Sequence, residues 1–415
     1  MSGYKKIWYG ATPAEWKEQK IKYSMKVKNG KEVSTEVDNG EDAINVYGSG
    51  GIFKWTDKQL YSGESVLFGR KGTIGKPLFV NEAFWTVDTM YYTHFAKDAY
   101  PKYFYYLMCV FPWNIITTQT ALPSVVGSDI ENFNCSVPQY RIQKIISNYL
   151  DSKTSEIDSL ITAKESLIIL LEEKRQSMIT EAVTKGLNPN VQMKDSDVEW
   201  IDKIPEHWRK TRLDFVSRVK ARLGWKGLKA EEYVDEGYIF LSTPNLKGNN
   251  IDFENVNYIT EERYLESPEI ILEKGDVLLA KDGSTLGITN VVRELPAQAT
   301  VNSSIAVLRP KELIDSIYFY YYLSSTYIQD IINQIKGGMG VPHLFQADIK
   351  KFLIILPPVS EQKEIAKYLD EQVENLDSLI ETIKVQIQKL RDYRQSLIYE
   401  VVTGKIDARE FEIVL

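Results

Sequence analysis

Two long stretches of the chain carry apolar residues at spacings of mostly three, four and seven. In the first stretch they are Ile142, Ile146, Tyr149, Ile157, Leu160, Leu167, Leu171 and Met178, and in the second they are Ile365, Leu369, Leu376, Leu379, Ile383, Ile387, Leu390 and Leu397. This spacing is typical of the seam of a coiled coil. Neither interior contains Gly or Pro, whereas Pro138 and Pro357 precede the stretches and Gly186 and Gly404 follow them. The pattern therefore predicts two long helices, each roughly 65–70 Å in length at about 1.5 Å per residue.

The two stretches are copies of each other at an offset of 219 residues. Aligned without a gap, residues 138–184 and 357–403 are identical at 20 of 47 positions, counted along the printed sequence. Runs such as Tyr149-Leu150-Asp151 recur as Tyr368-Leu369-Asp370. A period of half the chain is too long for a solenoid and indicates a tandem duplication. Because one helix cannot bury its apolar stripe alone, we expect the two copies to pack on each other; packing against the neighbouring globular segments is the alternative.

The segments that precede the helices are related more weakly and read as short β-rich runs broken by glycine, with a few helices. Both contain a Pro-x-x-Trp motif, a strand that ends in a basic glycine turn, a tyrosine-rich helix and a proline-containing loop. We expect an α+β protein with four parts. These are a globular domain over 1–136, a helix over 137–190, a second globular domain over 191–355 and a second helix over 356–415.

Composition narrows the functional classes. Apolar residues make up 43% of the chain and charged residues 26%, which suits packed domains rather than disorder. The formal net charge of −7 argues against a uniformly basic surface, so partner proteins are expected to supply part of any grip on a nucleic acid. Two cysteines are too few for a disulfide framework or a zinc set, and no signal-peptide core or membrane-length apolar run is present. We expect a cytoplasmic protein.

The order of domains and helices resembles the DNA-specificity subunit of type I restriction–modification enzymes over essentially the whole chain. Local marks are the run Ile204-Pro205-Glu206-His207-Trp208 and the run from Leu356 to Gln362 that leads into Ile365-Ala366-Lys367-Tyr368-Leu369. The first copy departs from this pattern, because Arg141-Ile142 stands where the second copy has Ser360-Glu361. We therefore expect contacts at the two helix starts to differ.

The resemblance implies that each globular domain is a target recognition domain for one half of a bipartite DNA site. It implies that the helices pair as an antiparallel, pseudo-two-fold symmetric coiled coil that fixes an unread spacer. It further implies double-stranded DNA and two adenine-N6 methyltransferase subunits as partners, and in some systems two restriction–translocase subunits. S-adenosylmethionine, ATP and Mg²⁺ would bind those partners, and no cofactor or metal is expected on this chain.

The candidate DNA-binding residues lie in three segments of each domain, which are the basic glycine turn, the proline-containing loop and a turn earlier in the chain. Arginine and lysine bond guanine edges and phosphates, and glycine permits close approach of two backbones. In the first domain the candidates are Tyr47, Ser49, Arg70, Lys71, Gly72, Thr73, Gln119, Thr120 and Ser124. In the second domain they are Asn245, Lys247, Lys281, Gly283, Ser284, Lys336, Gly338 and His343. For each, an ordinary solvated turn or, for His343, a buried histidine is the alternative.

Four helix residues recur in both copies and are candidates for binding partner subunits: Arg175, Gln176, Arg394 and Gln395. They are equally suited to bracing one helix against the other. The tyrosine-rich stretches at 103–106 and 318–322 are expected to pack in the core rather than stack on bases.

Catalytic patterns are missing from the sequence. Asn188-Pro189-Asn190 lacks the second proline and the aromatic residue of an adenine methyltransferase motif, and no Gly-Lys-Ser/Thr phosphate loop occurs. The three histidines are not at metal-ligand spacing. We therefore expect a non-catalytic subunit. A DNA-independent interaction scaffold, a standalone bipartite DNA-binding regulator and an uncharacterised hydrolase are the alternatives.

Overall fold

The computed structural model describes residues 4–7, 10–118, 123–222, 228–336 and 342–409. The chain forms two compact units, one made of residues 1–165 with 384–415 and the other of residues 166–383. No helix within the described ranges is long and apolar enough to cross a membrane.

In its described residues, the first unit contains ten strands, three short α-helices, one 3-10 helix (Ile21–Tyr23) and parts of two long helices. The strands are β1 (Tyr4–Ile7), β2 (Gly10–Pro13), β3 (Lys17–Lys20), β4 (Met25–Asn29), β5 (Ile44–Gly48), β6 (Gly51–Thr56), β7 (Tyr61–Gly69), β8 (Leu78–Thr86), β9 (Met90–Phe95) and β10 (Asn134–Val137). The helices are α1 (Pro101–Cys109), α2 (Trp113–Ile116), α3 (Gly127–Asn132), the first part of α4 (Tyr140–Lys185) and the last part of α10 (Val359–Val402).

The second unit contains the remaining strands and helices. The strands are β11 (Met193–Val198), β12 (Ile201–Pro205), β13 (Arg209–Arg212), β14 (Ser217–Ala221), β15 (Tyr238–Leu241), β16 (Asn257–Ile259), β17 (Val277–Ala280), β18 (Thr289–Val291), β19 (Ala299–Val301), β20 (Ile305–Pro310) and β21 (Leu353–Leu356). The helices are α5 (Leu213–Val216), α6 (Glu261–Leu265), α7 (Ser316–Ser324), α8 (Thr326–Lys336), α9 (Gln346–Ile349) and the other parts of α4 and α10.

Both units share one strand topology. The sheet of the first unit has the order β4-β9-β7-β8-β5-β6, and β5 pairs parallel to β8. In the second unit the order β14-β20-β17-β18 repeats its first four strands, and β15 pairs parallel to β19. The pair β3–β10 likewise recurs as β13–β21. The predicted duplication and the α+β class are therefore confirmed.

The long helices α4 and α10 span 46 and 44 residues, which confirms two long helices at the predicted places. Three of the predicted seam residues are wrong, however. Leu160 is 46% exposed, Leu167 is 42% exposed and Leu379 is 45% exposed. Their neighbours Ile161 and Ile380 are buried instead. Adjacent residues of a helix point about 100° apart, so either of two consecutive apolar residues fits a spacing pattern but only one faces the packed side.

A buried glutamine anchors the start of each long helix. The side-chain amide of Gln143 donates to the carbonyl of Pro138 at 2.9 Å, and that of Gln362 donates to the carbonyl of Pro357 at 2.8 Å. Each glutamine oxygen also accepts a backbone N–H from just before α1 or α7, at 2.7 Å in both units. These bonds fix the same junction between helix and sheet domain in both units.

The two helix starts differ at one position, as the sequence predicts. Glu361 accepts hydrogen bonds from the indole of Trp208 at 3.0 Å and contacts His207 at 2.8 Å. The corresponding residue of the first copy is Ile142, whose side chain has no polar atom to make such contacts. In the second unit the Pro-x-x-Trp motif is thus secured by the carboxylate of Glu361.

The tyrosine-rich helices α1 and α7 are core elements, which confirms the expectation for both stretches. Tyr103 and Tyr318 are fully buried and donate to backbone carbonyls, of Val402 in the first unit and of Val183 and Ile355 in the second. Buried hydroxyl groups need such partners, because leaving one unbonded costs about 1–3 kcal/mol.

Candidate nucleic-acid interface

In the first unit, the basic turn after β7 lies against the loop that precedes α3. The backbone N–H of Gly72 donates to the carbonyl of Pro123 at 2.9 Å, and that of Val125 donates to the carbonyl of Arg70 at 3.0 Å. Lys71 and Ser124 form a β-bridge between these two hydrogen bonds. We call segments 70–73 and 123–125 the first loop pair.

The second unit repeats this arrangement after β17. Gly283 donates to the carbonyl of Pro342 at 3.0 Å, and Leu344 donates to the carbonyl of Lys281 at 2.8 Å. The bridging residues here are Asp282 and His343. Segments 281–284 and 342–344 are the second loop pair. The structure thus brings together two groups of candidate residues that are about 50 to 60 positions apart in the sequence.

The turn of each loop pair requires glycine. Gly72 has φ +76° and Gly283 has φ +64°, a region that side-chain-bearing residues rarely adopt. A Cβ on Gly69 would lie 2.0 Å from the carbonyl oxygen of Thr73, so this residue must also be glycine for the turn to close. The glycines therefore set the loop backbone.

The first loop pair presents cations and hydroxyls. Lys71 and Thr73 are exposed, and the guanidinium of Arg70 lies 5.9 Å from the centre of the Tyr91 ring. The hydroxyls of Thr118 and Ser124 lie 3.0 Å apart. A cation on an aromatic face and an exposed ammonium suit phosphate and guanine.

The second loop pair has a different charge pattern. Lys281 is 8% exposed, and its ammonium lies 3.3 Å from a carboxylate oxygen of Asp282. The other carboxylate oxygen of Asp282 contacts Nδ1 of His343. Lys281 therefore differs from the exposed Lys71: its charge is turned inward and paired. Ser284 is exposed beside it.

Tyr47 and Ser49 lie on the β5–β6 hairpin. The backbone carbonyl of Tyr47 accepts the N–H of Val87. Two residues after Val87, the carbonyl of Thr89 accepts the N–H of Arg70, so the hairpin is linked to the basic turn through segment 87–89. The hydroxyl of Tyr47 donates to Glu82 at 2.6 Å. Burial, together with that carboxylate, raises the pKa of Tyr47, so the phenol stays neutral. Ser49 is half-buried at the hairpin end.

Asn245, a candidate for DNA contact, is buried in a turn of the second unit. The residue is 5% exposed, and its amide bonds the backbone N–H and hydroxyl of Ser242 and the carbonyl of Asn255 at 2.8–2.9 Å. The side chain closes a turn and is buried there. Lys247, two residues later, is exposed.

Some candidates cannot be placed. Gln119, Thr120 and Gly338 lie outside the described residues. Lys336 ends α8, and its side chain is not among those described.

The four candidates for partner binding contact their own chain. Arg175 bonds Asp377 at 2.6 Å, and Arg394 bonds Asp158 through two nitrogens at 2.9 and 3.1 Å. The neighbouring glutamines bond the ends of the tyrosine helices, Gln176 with the carbonyl of Ser324 at 2.7 Å and Gln395 with the carbonyl of Cys109 at 3.1 Å. Of the two roles predicted for these residues, the structure shows bracing.

No cluster of three or more His, Cys, Asp or Glu suited to a metal ion occurs among the described residues. Burial raises the pKa of the Cys109 thiol to about 11 and that of Cys135 to about 12. Both thiols are therefore protonated at neutral pH, a form that is a poor nucleophile.

The chain matches the model of the family described as type I restriction modification DNA specificity domain, over residues 13–168 and 205–389. The match covers both copies of the duplicated α+β domain, so the class is that of DNA-specificity domains. The chain belongs to the family of type I restriction–modification DNA-specificity proteins, and sequence-specific DNA recognition in such a system is its role.

Relatives are found in archaea and bacteria. The chain is 25% identical to the MjaVIII specificity subunit of Methanocaldococcus jannaschii over 70% of this chain and 66% of that one. It is 21% identical to the EcoBI specificity subunit of Escherichia coli over 91% of this chain and 83% of that one. A chain from a solved type I restriction–modification complex has the same fold, with a TM-score of 0.73, 15% identity and coverage of 95% of this chain and 99% of that one.

Proposed function

We propose that this chain reads an asymmetric bipartite DNA site, one half with each loop pair, and performs no catalysis itself. The observation that carries the proposal is the recurrence of one backbone arrangement with different side chains. Gly72 and Gly283 donate to equivalent prolines, yet the bridging residues are Lys71 and Ser124 in one unit and Asp282 and His343 in the other. The same loop backbone with different side chains suits the recognition of two half-sites of different sequence.

We propose that α4 and α10 pair antiparallel along their length, with pseudo-two-fold symmetry, and fix the spacer between the half-sites. Contacts within each unit support this. In the first unit Arg394 bonds Asp158 and Arg391 bonds Glu165, so rising numbers on one helix meet falling numbers on the other. In the second unit Arg175 bonds Asp377, the same pair of residue types with the helices exchanged. Reciprocal ion pairs of this kind select orientation and register in helix pairs.

We propose two adenine-N6 methyltransferase subunits as partners, joined in a restriction complex by two translocase–nuclease subunits. S-adenosylmethionine, ATP and Mg²⁺ would be used by those subunits. Support comes from Leu160 and Leu379, which occupy equivalent places on α4 and α10 and are 46% and 45% exposed. A single exposed leucine is ordinary on a protein surface, but its recurrence at equivalent places of two helices suits two copies of one partner.

The test is a map of N6-methyladenine in cells that carry the intact gene, a deletion, or variants. A gapped motif with unlike halves that vanishes on deletion supports the proposal. The double variant Arg70→Ala/Lys71→Ala should weaken or relax one half of the motif only. Lys367→Ala is the matched control, because Lys367 is 80% exposed on α10 and carries the same charge away from both loop pairs. An unchanged methylome on deletion contradicts the proposal.

A further inference from the structure

The second loop pair contains an acid where the first has a base. Lys71 bridges to Ser124, and Asp282 bridges to His343 in the equivalent place. An acidic residue beside a DNA backbone is unfavourable unless its charge is compensated or it has a specific task. The surroundings of Asp282 indicate what that task is.

Both carboxylate oxygens of Asp282 are engaged inside the loop pair. One oxygen contacts Nδ1 of His343, and the other lies 3.3 Å from the ammonium of Lys281. The Lys281 side chain is 10% exposed, so this counter-charge is fixed rather than solvated. Asp282 therefore already accepts on both oxygens within the loop pair. Its interaction reaches the surface through His343.

The ring of His343 is held through Nδ1, and its other nitrogen, Nε2, is available for a further hydrogen bond. Its side chain is 36% exposed, and its ring packs edge to face on Phe345 with centroids 4.4 Å apart. Among the described residues, Nε2 of His343 has no hydrogen-bond partner, and it is not among the buried unpaired atoms. A carboxylate can only accept, so Nδ1 of His343 donates to Asp282, and the tautomer that this bond selects for a neutral ring has its lone pair on Nε2. In that tautomer the pair presents an acceptor beside the exposed ring of Phe345.

We propose that Nε2 of His343 reads an amino-bearing base, adenine or cytosine, in the second half-site, and that Asp282 is the residue that positions it. This inference rests on the proposed function and adds a base class and a residue that sequence reasoning missed. The exocyclic amino groups of adenine and cytosine are the hydrogen-bond donors of the major groove. In the first loop pair the place of Asp282 is taken by the exposed Lys71, whose ammonium is a donor, so the two loop pairs offer DNA groups of opposite hydrogen-bonding character.

The experiment compares His343→Ala, Asp282→Asn and Asp282→Glu in the full chain assembled with its methyltransferase subunits, by methylome mapping and by selection from randomised duplexes. Ser124→Ala, at the place equivalent to His343, is the matched control. His343→Ala should relax one adenine or cytosine of the second half-site, reducing discrimination there by roughly fivefold or more. Asp282→Asn should relax the same position, because an amide can donate to Nδ1 and favour the other tautomer. Asp282→Glu should restore part of the preference, and Ser124→Ala should leave this half unchanged.

A spectroscopic readout separates positioning from folding. The chain has three histidines, so histidine-selective ¹⁵N labelling gives three rings, and His343→Ala assigns one of them. Asp282→Asn should change the ring nitrogen shifts of His343 while those of His94 and His207 stay as in the wild-type chain, which shows that the fold is kept. A motif that is unchanged in His343→Ala overturns the inference. So does a relaxed position that is guanine or thymine, or a loss of affinity that is equal for all sequences. Absence of any gapped motif with the wild-type chain would instead overturn the proposed function, and the nitrogen shifts would still test the Asp282–His343 pair.

Discussion

Asp377→Asn and Asp158→Asn form a matched pair of perturbations, because the two aspartates occupy equivalent places on α10 and α4. Each bonds an arginine of the other helix, Arg175 or Arg394. Their burial differs: the side chain of Asp377 is 15% exposed, whereas that of Asp158 is 52% exposed. The same substitution therefore tests one type of ion pair, Asp with Arg, at a largely buried aspartate and at an exposed one.

The expected losses follow from that burial. Asp158 is largely solvated, and an exposed pair is worth at most about 1 kcal/mol even with two bonds. Asp377 bonds Arg175 at 2.6 Å, and its second oxygen is buried with no hydrogen-bond partner among the described residues. Because Arg175 is 34% exposed, solvent screens part of the attraction, and we expect a loss of about 1–2 kcal/mol.

Differential scanning calorimetry of the two variants measures the difference. A domain of this size loses roughly 2–4 °C per kcal/mol, so Asp377→Asn should lower the melting temperature by about 2–8 °C and Asp158→Asn by less than about 4 °C. A double-mutant cycle with Arg175→Met should give a coupling of about 1 kcal/mol. Equal losses at the two sites, or a larger loss for Asp158→Asn, would refute the reasoning from burial.

Three further outcomes are expected. Lys71→Ala should make the dependence of log K on log salt less steep by about 0.9 for all DNA sequences if its exposed ammonium sits on a phosphate, and salt titrations of binding measure this slope. Asn245→Ala should lower the melting temperature, by the equivalent of about 1–3 kcal/mol for the buried bonds that it removes, and leave the methylated motif unchanged. Burial beside Tyr61, with Lys28 nearby, lowers the pKa of His94. The unfolded chain therefore binds the proton first as pH falls through the ordinary histidine range. Stability should then decrease from pH 7 to 5, by no more than about 1.4 kcal/mol per pH unit for one group, and melting curves of His94→Phe should show a smaller decrease.

The sequence predicted those features of the fold that depend on long patterns. A repeat of 47 residues without a gap places α4 and α10 to within a few residues, because helix periodicity persists over many turns. The repeat could not show which of two consecutive apolar residues, such as Leu160 and Ile161, is buried. That depends on where the packing partner of the helix lies, which the spacing pattern does not contain.

The candidate site was predictable at the level of segments and not of side chains. Glycine, proline and basic residues at matching places marked both loops of each pair, and these segments do meet. The roles of Asn245 and Lys281 were missed, because a buried hydrogen bond or a paired charge depends on residues brought close by folding. Asp282 carried one usable signal, an acid where the first copy has Lys71, which an alignment of the two halves reveals.

The way each loop pair is held explains how two halves with one frame can carry different side chains. The bonds from Gly72 to Pro123 and from Gly283 to Pro342 join backbone to backbone, so they do not depend on the residues that bridge beside them. The anchoring glutamines, Gln143 and Gln362, and the buried tyrosines, Tyr103 and Tyr318, are also equivalent in the two units. A substitution at Lys71 or His343 therefore changes what the surface offers to DNA and leaves these backbone bonds in place, although at His343 it also removes the contact with Asp282. Substitutions of the turn glycines or the anchoring glutamines would instead change the backbone of the loop pair, and with it every DNA contact that this unit makes.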